Sequence, residues 1–251
     1  MSKALASDVT APLVLGPIER LTLNDLAYEK LKRALLTGRI EAGMVLTYRS
    51  LASEMGTSMM PVREAVARLV AERALEVVPQ RGIRVPTLTP EEVEDLWNLR
   101  VQLEGEAAAR SAARASPENV RQIALLRDRV QEAAESGDVY RFQDTNCDFM
   151  SAVYAAARTR VFITLVEMLR VQASPHRIEA VRVVIEERPP LFFAMLRRHD
   201  ELVDAIAAHD SARARAIKQV DIEEFRELFN EVAARRTNSQ QAPQWPEHSG
   251  D

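Results

Sequence analysis

One change of period constrains this chain more than any other feature. Apolar residues recur at helical spacing from Leu21 onward, break once at Leu75–Pro86, "LEVVPQRGIRVP", and resume after Thr89. The interruption is two short β-branched runs around a Pro-Gln-Arg-Gly tip, the pattern of a β-hairpin. β-Branched runs are otherwise few and there are only 8 Gly, so a large sheet has no material to form from. A mainly α protein with one small β element is expected. Its 251 residues, 47% hydrophobic and 28% charged, suffice for one large or two ordinary cores.

Three helices precede the hairpin. "LAYEKLKRALLTGRI" puts Tyr28, Leu31 and Leu35 on one face, with Gly38 as a stop signal. "TYRSLASEMG" is a short helix capped by Thr47 and closed by Gly56; "TSMM" is a turn. "PVREAVARLVAERA" follows, with Val62, Val66 and Leu69 inward. Three helices and a hairpin make a winged helix–turn–helix. Thr89, Pro90 and Glu92 then form a capping box that opens a new helical region. Ser116-Pro117 opens a second helix there, Pro175 interrupts a later one, and Pro189-Pro190 restarts the chain. The expected organisation is a flexible arm at 1–20, a winged domain at 21–86, an all-helical bundle at 87–236 and a disordered tail at 237–251.

Charge is divided unevenly between these parts. Residues 21–86 hold 10 Lys and Arg against 7 Asp and Glu, a net of +3, whereas 87–251 carries a net of −7. A basic front and an acidic back point to two domains with different partners. The single Cys147 excludes an internal disulfide framework and is expected to be a buried, inert thiol. With no apolar run long enough for a membrane span and no secretory signal pattern, a cytoplasmic protein without a membrane partner is expected. Gly-rich phosphate loops, HExxH pairs and recognisable Ser or Cys nucleophiles are absent, which argues against an enzyme.

Arg49 near the start of the second helix, Arg63 in the third and Arg81 at the hairpin tip are placed to reach phosphates and base edges of duplex DNA. Gly82 would let the tip approach a groove closely. The segment from Tyr28 to Val85, with its Leu-x-x-x-Leu-x-x-Gly opening and its Pro-Val-Arg-Glu-Ala motif, resembles the N-terminal domain of the GntR family of bacterial transcription regulators. That resemblance implies operator contacts by Arg49 and Arg63 and a wing, Arg81–Gly82, in the minor groove. The family turn reads Ser-Arg-Thr-Pro-Val-Arg-Glu; here it is "SMMPVRE", keeping Ser58 but placing Met59 where an Arg contacts DNA. An altered operator or weaker binding is expected, since a bidentate Arg contact carries about 1–3 kcal/mol of base discrimination.

Behind the linker, four helices each place one polar residue within an apolar stripe: Arg100, Asn146, His199 and Asp221. A buried polar group without a partner costs about 1–3 kcal/mol, so these must meet one another, water or a ligand. A self-satisfied network would pair Arg100 with Asp221 and His199 with a backbone carbonyl. Four together favour a ligand pocket inside the bundle. "RVQLEGEAAA" and "HDELVDAIAAHDSARARA" resemble the FCD effector domain of the FadR-type branch of that family. Many members hold a divalent metal there through an Asp and three His; the matching positions are Asn146, Met150, His199 and Asp221. One His remains and a thioether suits such a metal poorly, so no metal or other cofactor is expected. Effector recognition then falls to these residues and to Arg100, whose fork suits a carboxylate, with His176 and Arg177 at the mouth.

The expected function is a ligand-responsive transcription regulator, a repressor by the family's commoner mode. Its partners would be an inverted-repeat operator, a small organic acid and a second copy of the chain, with Thr87–Pro90 as hinge. The alternatives are a metal-dependent regulator of the same family and a DNA-binding protein with no effector.

Overall fold

A computed structural model describes residues 22–241, and of 236–241 only the backbone. The expected arm at 1–20 and the tail from 242 onward lie outside the described residues. Nine helices and one three-stranded sheet are present among them.

In the front part α1 (Leu23–Leu36) opens on a capping box in which Thr22 and Asp25 satisfy each other's backbone N–H groups. Short β1 (Val45–Leu46) leads into α2 (Tyr48–Glu54), where Thr47 and Ser50 repeat the device. Then come α3 (Met59–Ala71), β2 (Glu76–Val78) and β3 (Gly82–Arg84). The sheet order is β1-β3-β2, all antiparallel, with Ile83 opposite both Leu46 and Val77. Tyr28, Leu31, Leu35, Val62, Val66 and Leu69 are all buried, as their spacing foretold, with Ile83 among them.

β1 has no sequence counterpart, because two residues carry no periodicity. It also gives Gly82 a structural reason unrelated to groove approach. Gly82 has φ +112°, and a Cβ there would stand 2.3 Å from the Leu46 carbonyl oxygen.

The back part is α4 (Pro90–Arg114), α5 (Pro117–Glu135), α6 (Val139–Ala155), α7 (Arg160–Glu187), α8 (Pro189–Ala207) and α9 (Ser211–Gln241). Capping boxes at Thr89/Glu92 and Ser116/Asn119 start α4 and α5. Pro175 does not interrupt the chain: α7 runs 28 residues through it. A mid-helix Pro removes one hydrogen bond and costs about 3 kcal/mol. Here it is buried against the front part, where its carbonyl accepts the Ala42 N–H at 3.1 Å, and packing holds the helix together. The helical region also extends past the expected limit of 236, α9 continuing to Gln241. No helix among the described residues is long and apolar enough to cross a membrane.

The two parts are joined by more than the linker. Lys32 pairs with Glu167 at 2.6 Å, Arg33 with Asp144 at 3.2 Å and with Asp148, Arg39 with Asp144 at 2.5 Å, and Arg182 with Glu41 at 2.8 Å. Val171 of α7 is buried in the front core, and Ile178 packs so close to Gly38 that a Cβ there would lie 2.8 Å away.

Candidate functional site

The front part presents Arg49, Ser58, Met59, Arg63 and Arg81 to solvent, on α2, at the start of α3, along α3 and at the hairpin tip. Arg63 is steadied by Tyr48, its guanidinium lying 4.6 Å from the ring centroid. Ser58 is the N-cap of α3 but makes no side-chain cap bond, which leaves its hydroxyl available at a helix N-terminus. Met59 is 45% exposed and Met60 63%, so the two thioethers are surface groups rather than core filling.

Ion pairing sorts the basic residues. Of the ten Lys and Arg at 21–86, Lys32, Arg33 and Arg39 bind acids of the back part. Arg68 and Arg84 bind Asp25 and Glu76 locally. Among the described residues Lys30, Arg49, Arg63, Arg73 and Arg81 have no acidic partner, so all three arginines singled out for DNA remain free for phosphate. Part of the basic-front, acidic-back asymmetry is thus consumed inside the molecule.

Arg100, Asn146, Met150, His199 and Asp221, drawn from α4, α6, α8 and α9, line a single cavity of about 50 Å³. Helical spacing did not reveal the other polar groups in its wall: Glu104, Gln143, Arg170 and Lys218. Glu104 and Lys218 were nonetheless legible as neighbours, four residues after Arg100 and three before Asp221. Arg177, expected at the mouth, is in the wall; His176 faces a separate crevice with Leu88 and Trp97.

The network differs from the expected self-satisfied one. Arg100 Nε donates to Glu104 at 2.6 Å rather than to Asp221, whose partner is Lys218 at 2.7 Å. The Tyr154 hydroxyl donates to the other Glu104 oxygen at 2.5 Å. Burial alone would raise the Glu104 carboxyl, but Arg100, Lys218 and Arg170 outweigh it and bring it to about 2. Burial depresses His199 to about 4, keeping it neutral at pH 7 despite Asp221. Burial, with Arg100 nearby, draws Arg177 down to about 9. Its guanidinium lies 4.2 Å from the Phe225 centroid and has no ion-pair partner among the described residues.

Four cations, Arg100, Arg170, Arg177 and Lys218, therefore face two carboxylates, Glu104 and Asp221, around a neutral His199. Arg100 Nη1, Asn146 Oδ1, Arg177 Nε and His199 Nδ1 are buried without any hydrogen-bond partner in the protein. A cavity with surplus positive charge and unengaged N–H groups on Arg100 and Arg177 suits an anion. A divalent metal does not fit. The donors at the family's ligand positions are one imidazole, an amide, a thioether and a carboxylate already bound by the Lys218 ammonium. Among the described residues no three His, Cys, Asp or Glu side chains converge elsewhere. Cys147 is buried and free of any disulfide.

The HTH-type transcriptional regulator McbR of Escherichia coli (strain K12) is 28% identical over 204 residues, spanning 80% of this chain and 89% of that protein. The HTH-type transcriptional repressor GlaR of the same organism is 28% identical over 195 residues, 74% of this chain and 86% of that one. A solved structure of E. coli McbR/YncC superposes with a TM-score of 0.72 at 24% identity, covering 88% of this chain and all of that one, a likeness of fold. The sequence model for the bacterial regulatory proteins of the gntR family matches residues 23–85 and that for the FCD domain matches 95–224. The two matches fall on the winged domain and on the helical bundle in turn: the chain belongs to the GntR family of transcription regulators, among the members that carry an FCD domain.

Proposed function

We propose that this regulator is a repressor whose grip on DNA responds to a small organic anion held in the cavity of the helical bundle. The observation that carries this reading is the convergence of four unpartnered buried polar atoms on one cavity with two more cations than carboxylates. Arg177, free of any carboxylate, and Arg100, with Nη1 unengaged, would bind the anion; Asn146, His199 and Asp221 would read its hydroxyl or carbonyl groups, and Met150 would pack on its carbon skeleton. Because the metal-binding set is degraded, recognition is direct.

On the DNA side, Arg49, Ser58, Arg63 and Arg81 would hold phosphates and base edges. Met59 would offer an apolar contact to a thymine methyl, and Gly82 would keep the wing tip in shape. A cytoplasmic homodimer reading an inverted repeat through two winged domains is the matching assembly.

Two measurements test this. Selection from random duplex DNA by the purified full chain, at two salt concentrations, should return a short inverted repeat whose binding weakens steeply with salt. Thermal-shift screening of mono- and dicarboxylates should find stabilising compounds in the wild type but not in Arg177→Met or Arg100→Met. Sequence-blind DNA binding, or stabilisation that survives both substitutions, would overturn the respective half of the proposal.

A further inference from the structure

Two helices of the bundle touch both the cavity and the winged domain, α6 from roughly opposite sides. On α6, Gln143, Asn146 and Met150 line the cavity. At 3.6 residues per turn Asp144 and Asp148 project from roughly the opposite side. These carboxylates take Arg33, which also donates to the Asp144 carbonyl at 2.8 Å, and Asp144 takes Arg39 as well. On α7, Arg170, Arg177, Val181 and Val184 line the cavity. Other faces of α7 carry Glu167, bound to Lys32, and Gln172, which donates to the Glu72 carbonyl at 2.9 Å.

The cavity's size gives this arrangement a consequence. About 50 Å³ admits a few water molecules, whereas pockets that enclose a metabolite run to about 300–1,000 Å³. A ligand therefore enters only if a wall moves. Helices in a close-packed core shift as bodies rather than deform, so a displacement on the cavity face of α6 is carried to Asp144 and Asp148. The ion pairs there are partly exposed and individually weak, the part of the interface that a small shift breaks first.

We propose that α6, with α7 beside it, is a two-faced lever in which Arg33 and Arg39 on Asp144 and Asp148 form the latch, so that filling the cavity releases the winged domain from its docked orientation. This rests on the reading of the cavity as an anion site. Coupling between two sites is reciprocal, so breaking the latch from the winged-domain side must change the cavity.

Trp97 reports on the cavity directly: it is buried in its wall, 4.7 Å from the Arg100 guanidinium and 5.8 Å from that of Arg177. The experiment is iodide quenching of Trp97 fluorescence in the full chain, with the second tryptophan removed by Trp245→Phe. Iodide is the anionic probe and neutral acrylamide the comparison. Arg33→Gln, which lies in the other domain, is expected to raise the iodide quenching constant about fivefold, the lower end of coupling between linked sites. Asp144→Asn with Asp148→Asn should reproduce it, and Arg121→Gln, which breaks an exposed pair within α5, should not. If Arg33→Gln leaves quenching unchanged, the lever is wrong, even where the α6 double variant has an effect of its own. If Arg177→Gln does not lower iodide quenching relative to acrylamide, the anion reading fails and the lever fails with it. Dependence on Arg177 without dependence on Arg33 removes the lever alone.

Discussion

Replacing Glu104 by Gln keeps the size of the buried group but removes the charge at the centre of the cavity network. A carboxyl held at about 2 instead of the ordinary 4.5 prefers its ionised form in the folded state by about 3 kcal/mol. The stabilisation is full above about pH 4.5 and is lost as pH falls through about 2. Removing one partner of a buried pair costs a similar amount, about 3–5 kcal/mol, because Arg100 and Lys218 lose their counter-charge. Glu104→Gln should therefore lose about 3 kcal/mol at pH 7, read by urea unfolding monitored through helical circular dichroism. At pH 3 the difference from wild type should narrow to about half, since the unfolded carboxyl is by then protonated in the wild type too. With one carboxylate left against four cations, the variant should also gain more stability from added chloride than the wild type does. A loss below about 1 kcal/mol at pH 7, or a gap independent of pH, would refute the assignment of Glu104 as the ionised hub of the network.

Three further outcomes are expected. Because burial holds His199 at about 4, wild-type stability should decline as pH falls from about 6.5 toward 4; His199→Gln should flatten that slope in urea midpoints taken at pH 7 and pH 5. Gly38→Ala combines φ +72° with a Cβ 2.8 Å from Ile178, so it should cost about 1–3 kcal/mol and loosen the interface, visible as faster amide exchange at 171–178. Met59→Arg should add about 1–3 kcal/mol of discrimination if the new side chain reaches a base, checked by titrating the selected operator against single-base variants; unchanged affinity and preference would show that this position does not touch DNA.

The front part was legible in the sequence because its signals are local. Thr47 and Thr89 carry their own capping chemistry within three residues, Gly38 and Gly56 mark left-handed stops with φ +72° and +62°, and one period change locates the hairpin. The same local logic found Arg100, Asn146, His199 and Asp221, since a polar residue in an apolar stripe announces burial wherever the helix packs. Periodicity states which face turns inward, not what it meets there.

Two pairings of the site are local, Arg100 with Glu104 and Lys218 with Asp221, but the contacts that assemble it join distant segments. Tyr154 and Glu104 stand 50 residues apart, and Arg33 and Asp144 stand 111 apart. The sequence by itself determined the helices, the hairpin and the inward polar residues, because hydrogen bonding and side-chain spacing within a few residues suffice for them. Only the tertiary structure decided that Tyr154 and Lys218 close on Glu104, that Arg177 is left without a carboxylate, and that α7 survives Pro175. It also decided that three basic residues of the winged domain, Lys32, Arg33 and Arg39, pair with acids of the bundle. Those outcomes depend on how helices with similar apolar faces pack, and the charge a buried group retains depends on neighbours that packing alone supplies.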